Sequence, residues 1–270
     1  MTRRFAFVLL FVAASAFAQS EPLPPLRIGE TLLNLSTPRV LPEKAWEVRF
    51  AHRFSQPIND GDVHSLWGLD SSADIGIALL YSPTKRIQLG IFRTDVLDDY
   101  ELSLKAMLVE QSDTMPLSAA FRVGGDFRTE ENVEDGASGF AQAILSKQFA
   151  EKFEIFILPT YVSNAPVSAS HEFDHAFNVP IGFAYSLHRY LSLVVEVIPE
   201  NMDLPDDFDS DLGWAIGLKR AIGGHYFEIL FSNSRATHVD QYTTSSFLGS
   251  GLELGDAHLG FNIERRFGGK

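Results

Sequence analysis

Apolar and polar residues alternate with a period of two along most of the chain, and this pattern restricts the possible folds more than any other feature. In the segment AWEVRFAHRF, Trp46, Val48 and Phe50 share one face, while Glu47 and Arg49 share the other. Successive side chains of a strand point to opposite faces, so the segment predicts a β-strand with one apolar and one polar side. We find twelve such segments and no convincing amphipathic helix in the 270 residues.

The lengths of the segments and of their links predict a membrane barrel. Most segments have about 9–11 residues, which is the length that a tilted strand needs to cross a bilayer. The links alternate between short ones (83–86, 111–116, 150–152, 188–190 and 220–224) and longer ones (55–72, 94–99, 129–138, 163–175, 199–211 and 235–256). Short turns at one end and longer loops at the other are typical of outer-membrane barrels. We therefore predict an all-β fold, a single antiparallel up-and-down transmembrane β-barrel of about 12 strands, with both termini periplasmic.

The start of the chain has the features of an export signal. MTRRFAFVLLFVAASAFA combines two arginines, an apolar run and an A-x-A site, which together predict a cleaved signal peptide at residues 1–18. Residues 19–43 follow as a periplasmic lead-in, 44–267 as the barrel and 268–270 as a tail. The sequence leaves open whether the lead-in fills the barrel or hangs below it.

Composition excludes several classes of function. The chain has no cysteine, which rules out disulfides, thiolate metal sites, a catalytic thiol and a lipoprotein anchor. Its formal net charge is −13, so binding of nucleic acid through a basic patch is not expected. The longer links hold most of the 35 acidic residues, an asymmetry that fits loops on one side of a membrane.

Several strand segments also resemble a known family. They are TLLNLSTPRVLPEKAWEVRFAHRFSQPI, LWGLDSSADIGIALLYSPTKRIQLGIFRT, YELSLKAMLV, FAQAILSKQF, GGHYFEILFSNS and LGFNIERRF. Together they resemble the bacterial β-barrel family known as domain of unknown function 5777, over roughly residues 30–267. The resemblance implies a barrel in the outer membrane of a Gram-negative bacterium, and it brings no activity and no catalytic residue. The last strand, with Phe267 near its end, resembles the signal that outer-membrane assembly machinery recognises.

The polar faces of the strands predict the lining of the lumen. The alternation along each strand places the following charged residues inside: Glu47, Arg49, Arg53, Asp74, Glu101, Lys105, Arg122, Asp126, Arg128, Glu154, Glu196, Lys219, Glu228, Glu264 and Arg266. An eight-stranded barrel is filled by side chains, and one of sixteen strands leaves an open channel. Twelve strands lie between these cases, so the charges either line a narrow pore of weak ion selectivity or pair with one another and close it.

One motif suggests metal chemistry. HEFDH reads as H-E-x-x-H, in which a helix places both histidines of a zinc peptidase on one face. Here His171 and His175 lie between two predicted strands, so the expected position is an outside loop. The acidic loop 199–211 carries Asp207, Asp209 and Asp211 but lacks the glycine and glutamate of a calcium loop. We predict no metal centre and no cofactor, and at most weak binding of divalent cations by these five residues at the outer loops.

The expected function is that of a non-enzymatic outer-membrane barrel, a narrow channel or passive transporter for small polar solutes. The alternative is a structural or interaction barrel whose acidic loops bind cations or a partner. An outer-membrane phospholipase-like hydrolase is a remote third possibility, because Ser186 and His188 lie at a short turn, and Ser170 and His171 diverge in extended chain. A soluble periplasmic barrel is a further alternative, and membrane fractionation would distinguish it from a membrane-bound barrel. Expected partners are outer-membrane lipid, the assembly machinery and divalent cations.

Overall fold

The computed structural model of the protein describes residues 27–130, 136–168, 171–200, 212–244 and 256–269. The predicted signal peptide lies outside these residues, as do Asp207, Asp209 and Asp211. The strands are β1 Ala45–Phe54, β2 Ala73–Tyr81, β3 Ile87–Thr94, β4 Asp99–Val109, β5 Ser118–Arg128, β6 Gly136–Phe149, β7 Phe153–Ile157, β8 Thr160–Ser168, β9 His171–Asn178, β10 Ile181–His188, β11 Leu191–Ile198, β12 Gly213–Ile222, β13 His225–Ser232 and β14 His258–Gly268, and the helix between β13 and β14 is α1 Val239–Thr244.

The strands close into an antiparallel barrel. β1 pairs with both β2 and β14, and β5 pairs with β6, so the sheet has no free edge along this ring. The fourteen segments act as twelve strands because β7 and β8, and likewise β9 and β10, are single strands interrupted near Pro159 and Pro180. The register is unbroken across both interruptions, since Ile157 pairs with Ile181 and Thr160 pairs with Asn178. The predicted antiparallel barrel of about 12 strands is confirmed.

The two prolines lie side by side, which explains why the sheet tolerates them. Proline has no N–H to donate to a neighbouring strand. The chain restores the pairing around the gap: Leu158 N donates to Pro180 O at 2.9 Å, and Ala143 N donates to Pro159 O at 3.0 Å. The ladder therefore continues through both prolines, and β8 and β9 extend the wall beyond them.

The alternation of the sequence becomes an apolar outside and a polar inside. Ile77 and Ile229 point outward and are 52% and 63% exposed, while Glu47, Arg53 and Lys219 point inward and are fully buried. A barrel can expose an apolar band to hydrocarbon because its backbone groups are paired between strands. Among the described residues there is no helix with the length and apolarity to cross a membrane.

Two local predictions were wrong, and the structure answers one question that the sequence left open. Residues 163–175, expected as a loop, are mostly strand, because β8 and β9 continue as a hairpin. The link 235–256, expected to lack a helix, contains α1, whose six residues VDQYTT are too few and too polar to show a periodic pattern. The described part of the lead-in, from residue 27, is not below the barrel: Ile28, Leu35 and Leu41 are fully buried.

The outward band yields a stability prediction. Ile229 lies midway along β13, and Ile222 lies at the end of β12; both are exposed isoleucines. A lysine on the lipid face costs about 2–4 kcal/mol at mid-bilayer and about 0–1 near an interface. We expect Ile229→Lys to lower the free energy of unfolding in liposomes by about 2–4 kcal/mol and Ile222→Lys by about 1 or less, measured by denaturant titration. Equal losses would contradict the assigned band.

Candidate functional site in the lumen

The lumen is occupied by residues 27–41, here called the plug hairpin. Thr31 and Ser36 form an antiparallel bridge. Leu32 N donates to Leu35 O at 2.7 Å, and Thr37 N donates to Glu30 O at 3.0 Å. The hairpin enters at the end of the barrel that carries the short turns, called the short-turn end; the opposite one is the long-loop end. The tight turn places its tip deep inside the barrel.

Glu196 of β11 holds the tip of the hairpin. Its Oε1 accepts hydrogen bonds from the backbone N–H groups of Leu33 (2.8 Å), Asn34 (2.8 Å) and Leu35 (2.9 Å). The Asn34 side-chain amide donates to Oε2 at 3.0 Å. Successive N–H groups that converge on one point form an anion-binding concavity, and hydrogen bonds to a carboxylate are about twice as strong as neutral ones. The turn is therefore built around this buried charge.

Two wall lysines bind the carbonyl groups of the hairpin. Lys105 Nζ donates to Glu30 O at 3.2 Å and to Thr37 O at 3.1 Å. Lys219 Nζ donates to Thr31 O at 2.8 Å. An ammonium group has three donors and no acceptor, so each lysine can bind several carbonyls at once. Together with Glu196, these side chains satisfy the hairpin backbone that a sheet would otherwise have paired.

Ion pairs anchor the base of the hairpin at the short-turn end. Glu30 accepts hydrogen bonds from Arg266 Nη2 at 2.8 and 2.6 Å, and Arg39 pairs with Glu154 at 2.6 Å. Deeper in the lumen, Arg53 donates to the Asn34 side-chain oxygen at 2.7 Å. Because a buried charge is costly unless it is paired and hydrogen-bonded, the hairpin compensates the charged wall as well as filling it.

The apolar side chains of the hairpin pack against wall positions that have no side chain. A Cβ added at Gly182 would lie 2.3 Å from Leu32 Cδ1, and one added at Gly217 would lie 3.0 Å from Leu33 Cδ2. Leu32 and Leu33 are fully buried in a cluster that includes Phe156 of β7. Burial of one such side chain stabilises by about 1.5–3 kcal/mol. The two glycines thus mark where the wall receives the hairpin.

The helix α1 covers the lumen from the long-loop end. Tyr242 is buried, and its hydroxyl accepts a hydrogen bond from Gln142 Nε2 at 3.2 Å. Asp240 forms an ion pair with Arg128 at 2.9 Å. Asn178 Nδ2 donates to Thr243 O at 3.4 Å. The described part of the link between β13 and β14, as far as Thr244, is therefore folded inward onto the wall.

Little space remains between the plug hairpin and α1. A cavity of about 40 Å³ lies between the plug hairpin, α1 and the wall strands β2–β4, which is room for only a few waters at about 10–15 Å³ each. A wider vestibule of about 450 Å³ opens at the short-turn end, where Arg27, Glu30, Tyr226 and Arg266 line it. Among the described residues, the cavity between the plug hairpin and α1 is therefore too small to hold a solute.

The structure places the fifteen charged residues that the phase assigned to the lumen on the inner surface, as the contacts of the wall show. Eight contact the plug hairpin: Arg49, Arg53, Lys105, Glu154, Glu196, Lys219, Glu264 and Arg266. Others pair within the wall or with loops: Arg122 with Glu101, Glu228 with Lys219 at 2.6 Å, Asp74 with Arg235 at 2.8 Å, and Glu47 with Arg266 at 3.6 Å. Asp126 and Arg128 face α1. The lumen is therefore a network rather than an open ring of charges.

Sequence reasoning missed the residues that come from outside the strands. Glu30 and Asn34 lie in the lead-in, and Asp99, His238 and Asp240 were assigned to loops. The lead-in segment TLLNLS has no alternation, and nothing in its letters indicates a turn around a carboxylate. A signal was present only for Asp99, which directly precedes a predicted strand and is the first residue of β4 in the structure.

The H-E-x-x-H motif lies on a strand, not on a helix. His171 and His175 belong to β9, and residues four apart in a strand are separated by about 13 Å. The His175 ring is exposed and stacks with Tyr161 at a centroid distance of 6.2 Å. The zinc-peptidase geometry is thus absent from the described part of this segment.

One serine and one histidine do meet across strands. Ser163 of β8 pairs in register with His175 of β9. The Ser163 hydroxyl, however, donates to Gly139 O at 3.2 Å, and the His175 ring stacks with Tyr161. A hydrolytic serine requires a hydrogen bond to its base and a group that orients the base. Neither is present for this pair among the described residues.

The comparison with protein families decides the identity of the barrel. The family model described as "Membrane bound beta barrel domain (DUF5777)" matches residues 29–267. The chain belongs to this family. The match begins at Gly29, so the membrane-bound barrel domain of this chain includes the plug hairpin. The resemblance noted in the sequence is confirmed.

Solved structures agree with a place in the outer membrane. The COG4313 outer membrane channel from Pseudomonas putida F1 is similar with a TM-score of 0.54 and 14% identity, over 85% of this chain and 97% of that one. The NanC porin is similar with a TM-score of 0.51 and 9% identity, over 83% and 99%. Identities this low show the fold alone. None of the curated proteins compared with the chain matches it. The protein is a DUF5777 barrel of the bacterial outer membrane.

The role of Glu196 in this DUF5777 barrel can be tested with a thiol reporter. The chain has no cysteine, and Ser36 is buried in the hairpin, so Ser36→Cys introduces one protected thiol. Removing the Glu196 charge weakens hydrogen bonds worth about 1.5–3 kcal/mol each, and we expect Glu196→Gln to raise the rate of maleimide labelling of this thiol by about tenfold or more. Labelling kinetics in detergent micelles provide the measurement.

The matched control is Glu101→Gln, which removes a buried wall carboxylate that pairs with Arg122 and not with the hairpin. It should leave the labelling rate unchanged. Equal acceleration by both variants would mean that general loosening of the barrel, not release of the hairpin, exposes the thiol.

Proposed function

We propose that the protein is an outer-membrane channel for small polar solutes that the plug hairpin holds closed. The observation that carries this proposal is which segment of the chain supplies the hydrogen-bond partners of the charged wall residues. Glu196, Lys105 and Lys219 bind backbone atoms of a segment that contributes no strand to the sheet. A permanently closed barrel needs only ion pairs between the side chains of its own strands.

The hairpin can leave without breaking the barrel. All pairing in the sheet joins members of the set β1 to β14, and the hairpin pairs with none of these strands. Several wall charges keep partners within the wall after its departure, such as Lys219 with Glu264 at 3.2 Å and Arg122 with Glu101. The hairpin groups and the remaining wall charges would then be hydrated. Opening therefore exposes buried apolar area and breaks buried hydrogen bonds, but it breaks no pairing between strands.

The emptied lumen suits small polar solutes. Twelve strands give a diameter between that of filled eight-stranded barrels and that of open sixteen-stranded porins. Wall charges of both signs line the passage, which disfavours strong selectivity for either anions or cations. The outer-membrane channels of similar fold support transport as the activity of such a barrel. The similarity in fold to outer-membrane channels also supports a non-enzymatic role.

The proposed orientation places the short-turn end in the periplasm. The plug hairpin would then enter from the periplasmic side and α1 would cover the extracellular side. The acidic loops would face outward, as longer loops do in outer-membrane barrels. The last strand β14 ends at Gly268 with Phe267 exposed on the outer face, which supports its recognition by the assembly machinery.

Deletion of the plug hairpin together with α1 tests the proposal. We expect a variant without residues 27–41 and 237–244, reconstituted into liposomes or planar bilayers, to raise solute flux and single-channel conductance about tenfold or more over the wild type, because both the plug hairpin and α1 are then removed from a lumen between the eight- and sixteen-strand cases. Heat-modifiable gel mobility verifies that the barrel has formed.

A second variant covers the case in which the deletion does not fold. Glu196→Gln combined with Lys105→Met keeps every segment and removes two wall groups that hold the hairpin. It should show more frequent openings than the wild type. If folded protein of both variants gives neither conductance nor flux, the channel proposal is wrong, and a structural or interaction barrel takes its place.

A further inference from the structure

A compact group of ligand-type side chains lies beneath α1 at the long-loop end. Asp99 at the start of β4, Asp126 of β5, and His238 and Asp240 next to and within α1 are all fully buried. One ligand atom from each lies within 4.8 Å of the others. His238 Nδ1 is 3.2 Å from Asp99 Oδ2 and 4.0 Å from Asp126 Oδ1. The four residues come from three separate parts of the chain.

Most of the polar atoms in this group are left without hydrogen bonds. Both carboxylate oxygens of Asp126, Oδ1 of Asp99, Oδ1 of Asp240 and both ring nitrogens of His238 lack a hydrogen-bond partner within the described part of the chain. An unsatisfied buried polar atom costs about 1–3 kcal/mol, and more when it is charged. Several such atoms directed at one point are therefore a costly arrangement unless something binds there.

The charge of the group is also unbalanced. Three carboxylates face a single close cation, Arg128, which pairs with Asp240 at 2.9 Å. The nearby Arg122 is already paired with Glu101. Three carboxylates and one guanidinium give the group an excess of two formal negative charges, which one divalent cation would neutralise.

We propose that Asp99, Asp126, His238 and Asp240 bind one divalent transition-metal-type cation, Zn²⁺ or Mn²⁺. One imidazole and three carboxylates suit these ions, whereas Mg²⁺ and Ca²⁺ are bound by oxygen ligands alone. The mutual separations of up to 4.8 Å fit ligand atoms placed about 2.0–2.2 Å from a central ion, with modest closure on binding. This site is separate from the outer-loop residues that the sequence pointed to.

The bound ion would act as a latch for α1. His238 and Asp240 belong to the link between β13 and β14, whereas Asp99 and Asp126 are fixed to the wall. A cation shared by all four would join that link to β4 and β5. The ion would thereby hold the cover of the long-loop end in its inward position, independently of the plug hairpin.

Direct binding measurements on the folded full-length barrel test the site. Protein purified in detergent, stripped with a chelator and dialysed, is titrated with Mn²⁺ while the free ion is followed by its EPR signal, and Zn²⁺ is used as competitor. We expect one tightly bound ion per chain, with nitrogen coupling from His238 in the bound spectrum. We expect Asp126→Asn to weaken binding about 100-fold or more, beyond what loss of a group that only orients a ligand costs.

The matched control is Glu47→Gln. Glu47 is also a fully buried wall carboxylate with both oxygens lacking a hydrogen bond among the described residues, but it lies with Arg266 at the short-turn end. It should leave metal binding unchanged. Heat-modifiable mobility identifies folded variants, and His238→Gln provides a second ligand variant should Asp126→Asn fail to fold.

The latch has its own readout. Hydrogen exchange of the backbone amides of 237–244 should slow when Mn²⁺ or Zn²⁺ is added to the stripped wild type and should not respond in Asp126→Asn. Absence of a stoichiometric ion would overturn the proposal and indicate that protons neutralise the carboxylates. Binding that persists unchanged in both ligand variants would also overturn it, since the ion would then lie on the exposed acidic loops.

Discussion

Closure of the strand ladder is the constraint on which the rest of this molecule depends. A backbone in hydrocarbon has no water to pair with, so every strand must satisfy its N–H and C=O groups from its neighbours, and the ring cannot have an edge. The ladder even continues around Pro159 and Pro180, where flanking backbone groups restore the pairing. With the backbone fixed in this way, the period of two sends most apolar side chains to lipid and most charged ones inward. A crowded charged interior is therefore a consequence of the membrane, not a separate design.

That interior then needs partners, and the plug hairpin supplies them. Its leucines fill space beside Gly182 and Gly217, while its backbone provides N–H groups to Glu196 and carbonyls to the wall lysines. A hairpin can offer both because its two ends pair with each other and its turn leaves several backbone groups free. The same segment thus meets an apolar requirement and an electrostatic one. This segment, from Gly29 onward, lies within the family domain.

The alternation of the sequence predicted the barrel, its strand number and the inward charges, because lipid imposes a local rule on each strand. Glu47 and Arg49 face inward for the same reason that Trp46 and Val48 face outward. The candidate sites follow no local rule. Glu196 meets Leu33 across 163 residues of chain, and Asp126 meets His238 only because β13 and β14 bracket a folded link. The motif HEFDH suggested a zinc-peptidase site. Its spacing brings the two histidines together only on a helix, and β9 is a strand.

The two closures of the lumen differ in the forces that maintain them, and this difference bears on how such a barrel could open. The plug hairpin is held by many hydrogen bonds of moderate strength and by buried leucines, so its release is a single cooperative event opposed by hydrophobic burial. The cover formed by α1 rests on charges that do not balance by themselves, since three carboxylates face Arg128. The proposed divalent cation would neutralise this excess charge and stabilise the closure. The end that carries the acidic loops is thus the end at which the ionic conditions outside the barrel can act on the lumen.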